Sequence, residues 1–182
     1  MSLITPEATQ AGTYNVDPSH SNVGFAVRHM GIATVRGNFN KFAGTVEAAD
    51  GKLTLSGTVE TASIDTGDEQ RDGHLQSPEF FDAAQFPQIT FSSTGAEAAA
   101  DGKIKLTGEI TIKDVTKPIE LVGELAENGQ DPWGNDRIGF EVEGKIDRRE
   151  FGLVWNQTLP NGNLLVANEV KLVVSVSAVK AA

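Results

Sequence analysis

An all-β fold, an antiparallel barrel of about eight strands with a short helical insertion between the fourth and fifth, is predicted by three features of the chain. Apolar residues recur at every second position in run after run, two near-identical Ala-Asp-Gly-Lys turns punctuate the runs, and helical signals are confined to residues 68–91. Period two marks a strand with one covered face, and hairpin-linked runs without interleaved helices close into barrels or sandwiches. The 182 residues suffice for one domain with a substantial core, and an all-β domain of this size needs no division. One domain over 1–182 is expected, with 1–11 as a polar, poorly ordered lead-in.

Strand-like sequence opens at Thr13-Tyr14-Asn15-Val16, and Asp17-Pro18-Ser19-His20 supplies turn chemistry: Pro presets φ, and Asp and Ser bond nearby backbone. Val23, Phe25 and Val27 then alternate with Gly24, Ala26 and Arg28. The spacing recurs through Val35, Gly37 and Phe39, and again through Phe42, Gly44 and Val46. Ala49-Asp50-Gly51-Lys52 is a hairpin turn into Leu53, Leu55, Gly57 and Val59. Beyond the central segment, Ile89 and Phe91 begin another strand. Ala100-Asp101-Gly102-Lys103 introduces Ile104, Leu106, Gly108, Ile110 and Ile112. Two more runs follow at 119–125 and 138–146, and Val170, Leu172, Val174 and Val176 close the chain.

The opposite phase is largely Thr, Lys, Glu and Ser, so one face meets water. Gly37, Gly44, Gly57, Gly108, Gly123 and Gly144 all fall in the apolar phase. Glycines there either bend the sheet or also clear a lumen. A twelve-residue strand such as 136–147 spans ~40 Å at ~3.3 Å per residue. A barrel with strands this long encloses a deep, narrow space suited to an elongated apolar ligand.

In the central segment, Thr66 to Glu69 matches a capping box leading into a short helix through Gln76. Ser77-Pro78-Glu79 reads as a second helix start, and Pro87 stops it. The natural place of both pieces is across one barrel opening. Four of the nine phenylalanines fall in this segment, Phe80, Phe81, Phe86 and Phe91. Phe80, Phe81 and Phe86 either plug the barrel end or form a lid over a lipid channel. Arg71, Asp72 and His74 are its charged group, read as head-group contacts or as an ion-pair network holding the segment. The three histidines, His20, His29 and His74, lack the spacing of a helical zinc site. No metal or other cofactor is expected. Near the C-terminus, Arg148 and Arg149 stand beside Phe151 and Trp155; they either bind an anionic head group, since Arg forks match its oxygens, or pair with local carboxylates.

Composition narrows function. A formal net charge of −10 argues against a surface that tracks nucleic-acid phosphates. The absence of cysteine removes disulfides, thiolate metal sites and thiol nucleophiles. No stretch approaches the ~18 apolar residues of a spanning helix, and the opening residues lack a basic, then apolar leader, so a cytoplasmic location is expected, or an exported one if a leader has been removed. Asp17, Ser19 and His20 are adjacent in sequence, but proximity alone makes no catalytic triad. Neither a nucleophile elbow nor a nucleotide-binding glycine loop occurs.

Several separated motifs together resemble the YceI-like family. They are Tyr14-Asn15-Val16-Asp17-Pro18-Ser19-His20-Ser21, the alternation from Val23 to Gly31, Arg71-Asp72-x-His74-Leu75, Phe80-Phe81-Asp82, Phe86-Pro87 and Phe151-Gly152-Leu153. The resemblance covers residues 13–179. It implies a lipocalin-like barrel that binds a long polyisoprenoid or related amphiphilic lipid in an extended lumen, often as a homodimer, and a binding protein rather than an enzyme. Many relatives carry leaders, which this chain does not show.

The expected function is therefore binding, storage or transport of such a lipid. Val23, Phe25, Val27, Phe39, Phe91, Phe140 and Leu172 are the expected tail contacts, Phe80, Phe81 and Phe86 the end wall, with Phe151 and Trp155 beside it. Two alternatives stand against this: an enzyme on a prenylated or acylated substrate using His20, His29 or His74, and a solid-cored barrel without ligand.

Overall fold

The computed structural model describes residues 9–98, 101–126 and 128–182. The expected lead-in lies outside the described residues as far as residue 8, as does Ala100 of the second Ala-Asp-Gly-Lys turn. The strands are β1 (Gly12–Val16), β2 (Asn22–His29), β3 (Ala33–Phe39), β4 (Phe42–Ala49), β5 (Lys52–Glu60), β6 (Ile64–Asp65), β7 (Gln88–Ala98), β8 (Lys103–Ile112), β9 (Val115–Leu125), β10 (Gly129–Gln130), β11 (Asp136–Asp147) and β12 (Val166–Lys180). One α-helix, α1 (Glu69–Gln76), lies between β6 and β7.

All pairings are antiparallel, and the β11–β12 ladder from Arg137↔Val179 to Asp147↔Glu169 closes the sheet on itself. Eight long strands make the wall because three of them are interrupted. β1 and β2 follow one another along the same edge of β12, at Val16↔Ala178 and then Asn22↔Ser175. The interruption is the turn at 17–21, where the Asp17 carboxylate accepts the Ser19 N–H at 3.0 Å and the Asp17 N–H donates to Ser177 O at 2.8 Å. β3 and β4 run in the same sense beside β2 and β1, and β5 and β6 continue the pattern beside them.

The direction of each strand sorts the loops to two ends. The helix end carries α1, the β2–β3 turn at residues 30–32, the β8–β9 turn at 113–114 and the excursion 148–165. The hairpin end carries the β4–β5, β7–β8 and β10–β11 turns. At the hairpin end Tyr14, Ala48, Leu53, Ile104, Leu125, Ile138 and Ala178 pack into a solid, buried core. The β4–β5 turn forms as the Asp-Gly signal predicts, with Asp50 and Gly51 both at positive φ, +52° and +72°.

Two local expectations are corrected. The N-cap of α1 is Asp68, whose carboxylate accepts the Arg71 N–H at 3.0 Å. Thr66 instead donates its N–H and its hydroxyl to Asp72 Oδ1, at 2.9 and 2.5 Å. The second helical piece does not form. Ser77 ends α1 by donating its hydroxyl back to His74 O at 2.6 Å, and residues 78–86 become successive turns with Asp82 in the left-handed region. A serine hydroxyl satisfies a terminal carbonyl as readily as it caps a new helix, and here the first use won.

Candidate functional site

A cavity of about 250 Å³ opens inside the barrel and reaches the helix end. On β12 its wall runs from Val166 through Val170, Leu172 and Val174 to Val176, which is ~30 Å of strand at ~3.3 Å per residue. The opposite side is made by Phe42, Val46, Leu55, Val59, Ile89, Phe91 and Ile110. Val46, Leu106 and Phe140, all buried, form the floor, because the hairpin-end core beyond them leaves no room. The space is therefore blind at one end. Its wall is almost wholly apolar, and among the described residues the one charged side chain on it is Arg148.

The inward glycines divide by what faces them. A Cβ at Gly37 would lie 2.5 Å from the Phe25 ring, one at Gly108 2.7 Å from the Phe91 ring and one at Gly144 2.5 Å from Leu121. These glycines seat large neighbours. At Gly57 a Cβ would meet only Ala43 O at 3.4 Å and Gly44 Cα at 4.0 Å, with open space beyond. Gly57 thus clears part of the lumen, as one reading of the strand glycines expects, whereas Gly37, Gly108 and Gly144 make room for neighbouring side chains.

Among the expected ligand contacts, Val23, Phe25, Val27, Phe39, Phe80, Phe81, Phe91, Phe140 and Leu172 line the cavity. Phe25, Phe39 and Phe81 form a run of ring contacts at 5.8 and 6.0 Å. Phe86, Phe151 and Trp155 stand outside its wall. Phe86 carries the carbonyl that accepts the Thr61 hydroxyl at 2.9 Å, and Phe151 is packed in the core. Trp155 lies edge-on to the His74 ring at 4.9 Å and 5.4 Å from Phe80, while His74 lies 5.0 Å from Phe80. That three-ring stack joins α1 to the excursion 148–165. His74 Nε2 also bonds the Glu79 carboxylate.

The polar candidates separate by role. Arg71 donates to the Thr66 hydroxyl and carbonyl at 2.7 and 2.8 Å, and Asp72 accepts from that hydroxyl and from the Thr66 N–H, so both tie α1 to the end of β6. Arg149 makes a two-pronged pair with Asp147 at 3.0 and 2.6 Å, which holds the Asp147 carboxyl down at about 2. Arg148 turns inward. It is 4% exposed and donates to the carbonyls of Ala167, Leu153, Trp155 and Val166 at 2.9, 2.6, 3.0 and 3.3 Å. Burial lowers its pKa, yet a guanidinium retains its proton. A buried cation satisfied by carbonyl dipoles, with no carboxylate bonded to it, thus sits on the wall of an apolar cavity.

A second hollow, about 430 Å³, lies on the outside of the hairpin end between His20, Gln130, Arg137, Glu141 and Ser175. It is open and polar. Beside it Arg137 bridges Asp17 and Asp131, each at 3.0 Å. The Ser19 hydroxyl donates to Asp17 at 2.6 Å, and His20 Nδ1 faces both Asp17 and Ser19, at 2.8 and 3.0 Å. A triad uses opposite ring nitrogens for nucleophile and orienting acid, so this group is a turn-fixing network in its geometry. Among the described residues no cluster of three or more His, Asp or Glu could hold a metal ion, and no helix is long and apolar enough to cross a membrane.

Comparisons with known proteins agree with this architecture. The YceI-like domain model matches residues 14–178. Protein YceI of Salmonella arizonae is 38% identical over 183 residues, covering 98% of this chain and 92% of that protein. The crystal structure of Burkholderia cenocepacia BcnA superposes with a TM-score of 0.77 at 25% identity, covering 89% of this chain and 98% of that one. A YCEI protein of Campylobacter jejuni gives a TM-score of 0.74 at 30% identity, covering 85% and 90%. A polyisoprenoid binding domain from Saccharophagus degradans shares the fold at a TM-score of 0.67 and 13% identity, covering 94% and 100%. On the family match and the Salmonella relative, this chain belongs to the YceI-like family.

Proposed function

We propose that this protein binds a long-chain polyisoprenoid or similar amphiphilic lipid, with the tail in the blind barrel cavity and the head group toward the helix end, and stores or carries it without chemistry of its own. The observation that carries the reading is the cavity: deep, closed at the hairpin end and walled by apolar side chains. Each buried CH₂ contributes about 0.8 kcal/mol, so a long tail needs little polar help. The Saccharophagus degradans neighbour, described as a polyisoprenoid binding domain, supports the same ligand class on the same fold.

Arg148 gives the cavity a polarity. Four of its five N–H donors are taken by carbonyls. The remaining Nη2 hydrogen is available to an oxygen at the head of a ligand, and the nearby charge favours an anionic or carbonyl-bearing group there. A homodimer, which the family resemblance implies, belongs to the same proposal, and sedimentation velocity reads it directly.

Organic extraction of gently purified protein followed by mass spectrometry is the test. Reproducible recovery of an isoprenoid lipid is the expected result. Protein that comes out empty and binds no fluorescent prenyl probe removes the reading and leaves a ligand-free barrel.

A further inference from the structure

Three of the five large apolar side chains exposed among the described residues lie on loops at the helix end: Ile32, 75% exposed, on the β2–β3 turn, and Val154 and Leu164, 65% and 38% exposed, on the excursion 148–165. The two loops are joined. The Met30 N–H donates to Leu165 O at 2.9 Å, and a Cβ at Gly31 would lie 3.4 Å from the Asn163 amide. The same excursion supplies Leu153 to the cavity wall, next to Val166 and Arg148. An apolar rim is thus continuous with the end of the apolar cavity.

Charge along the chain singles out the same rim. In a protein with 25 acidic residues, no Asp or Glu occurs between Asp17 and Glu47, and none between Glu150 and Glu169. The first stretch contains the whole β2–β3 hairpin, with Arg28 and Arg36 exposed. Among the described residues Arg28 bonds Thr34 Oγ1 and Gly31 O, and neither arginine pairs with a carboxylate. The second stretch, residues 151–168, has no ionisable side chain at all. Within the two stretches that carry these apolar side chains acidity is missing, and the acidic residues of the helix end sit instead on and around α1 and at Asp147 and Glu150.

We infer that this rim, centred on Ile32, Val154 and Leu164 and flanked by Arg28 and Arg36, docks on the surface of an anionic phospholipid bilayer. Apolar side chains enter the interface, the arginines meet lipid phosphates, and the cavity end faces the membrane. A second copy of this chain fits the rim less well. A two-fold contact would bring both copies' Arg28 and Arg36 together, and the stretches 18–46 and 151–168 that carry the rim's apolar side chains offer no carboxylate to offset them. The lipid-binding reading supplies the purpose of docking, but docking is measured independently of it.

The experiment is co-sedimentation with vesicles of equal parts phosphatidylglycerol and phosphatidylcholine, compared with phosphatidylcholine alone. The protein is expected to sediment with the anionic vesicles and to be released by salt. Ile32→Glu/Leu164→Glu should weaken that binding at least about tenfold, and Arg28→Gln/Arg36→Gln, which leaves the apolar rim intact, should also weaken it, by about fivefold or more. Neither pair lines the cavity, so prenyl-probe affinity measured in detergent should stay within about twofold. No sedimentation with anionic vesicles, or sedimentation that both double variants leave unchanged, overturns the inference. So does a rim variant that converts a dimer to a monomer, since the rim would then be a contact between copies. Loss of probe binding in the unaltered protein, with vesicle binding intact, removes the lipid-cavity reading and leaves the docking surface standing.

Discussion

Adjacent residues with the same side chain face opposite demands at Arg148 and Arg149. Arg149 pairs with Asp147 in water, where an ion pair contributes little. Arg148 holds together both ends of the excursion, Leu153 and Trp155 on one side, Val166 and Ala167 on the other. Replacing it by Met would leave those carbonyls to find other donors in a buried place; at ~1–3 kcal/mol for each group left unpaired, a loss of about 3 kcal/mol is expected in urea unfolding, and Lys, with three donors and no fork, should recover only part of it. Nothing in the dipeptide distinguishes the two, and the sequence left head-group binding and carboxylate pairing open for both. Gly57 offers the complementary test. A Cβ there meets no backbone closer than 3.4 Å and Gly57 lines the cavity, so in Gly57→Phe folding should persist while the ring fills lumen and prenyl-probe affinity falls more than about tenfold, on the scale set by the methylenes it displaces. Retained affinity in Gly57→Phe would mean that the ligand lies elsewhere.

At the scale of elements, the strands were legible because each has one wet and one dry face, and a period of two survives in sequence. Interruptions were not. The break between β1 and β2 is a turn that looks like any hairpin connection until the strand pairing shows both pieces on one edge of β12. Residues 77–86 were misread for a related reason: Ser-Pro-Glu satisfies a helix start, but the hydroxyl that would cap it is engaged by His74 O. The three-ring stack of His74, Phe80 and Trp155 had no signal at all, since its members come from distant parts of the chain. Several of these connections are pinned by carboxylates that titrate low. Asp17 is held well below its ordinary range by hydrogen bonds from Ser19, then His20 and Arg137. Asp131 is lowered to about 2, chiefly by the Asn135 side-chain amide, and Asp68 is lowered by the Arg71 N–H at the start of α1. A folded-state pKa below the unfolded ~3.9 means that the unfolded chain takes up protons first. The stabilisation is complete above about pH 4 and is lost as pH falls toward 2 and below. Melting temperature should accordingly be flat from pH 7 to about 5 and drop steeply below about 4, and Asp131→Asn should flatten part of that drop. A melting temperature that holds steady to pH 2 would contradict the assignment.

The whole molecule is polarised along its axis. One end is a solid core of Tyr14, Ile104, Ile138 and Ala178, the other a cavity roofed by α1 and the excursion 148–165. That division was only half visible in sequence: alternation shows which residues point inward, but filled and hollow barrels alternate alike, and the difference arises from how large rings settle against glycines on neighbouring strands. The blind floor makes a prediction that neither a solid barrel nor an open tube shares. Across a series of prenyl or alkyl alcohols of increasing length, affinity should rise by about 0.8 kcal/mol per added CH₂ while the tail has wall to cover, then level off when it reaches the floor at Val46, Leu106 and Phe140. A solid core would show no such series, and a tube open at both ends would show no plateau. Leu106 is fully buried and faces the cavity from below, so Leu106→Ala deepens it at a stability cost of about 2–5 kcal/mol. The plateau should then move to longer chains by a few carbons, while affinity for chains shorter than the original limit stays the same. If the plateau does not shift, the tail never reaches Leu106, and the ligand enters less deeply than the cavity allows.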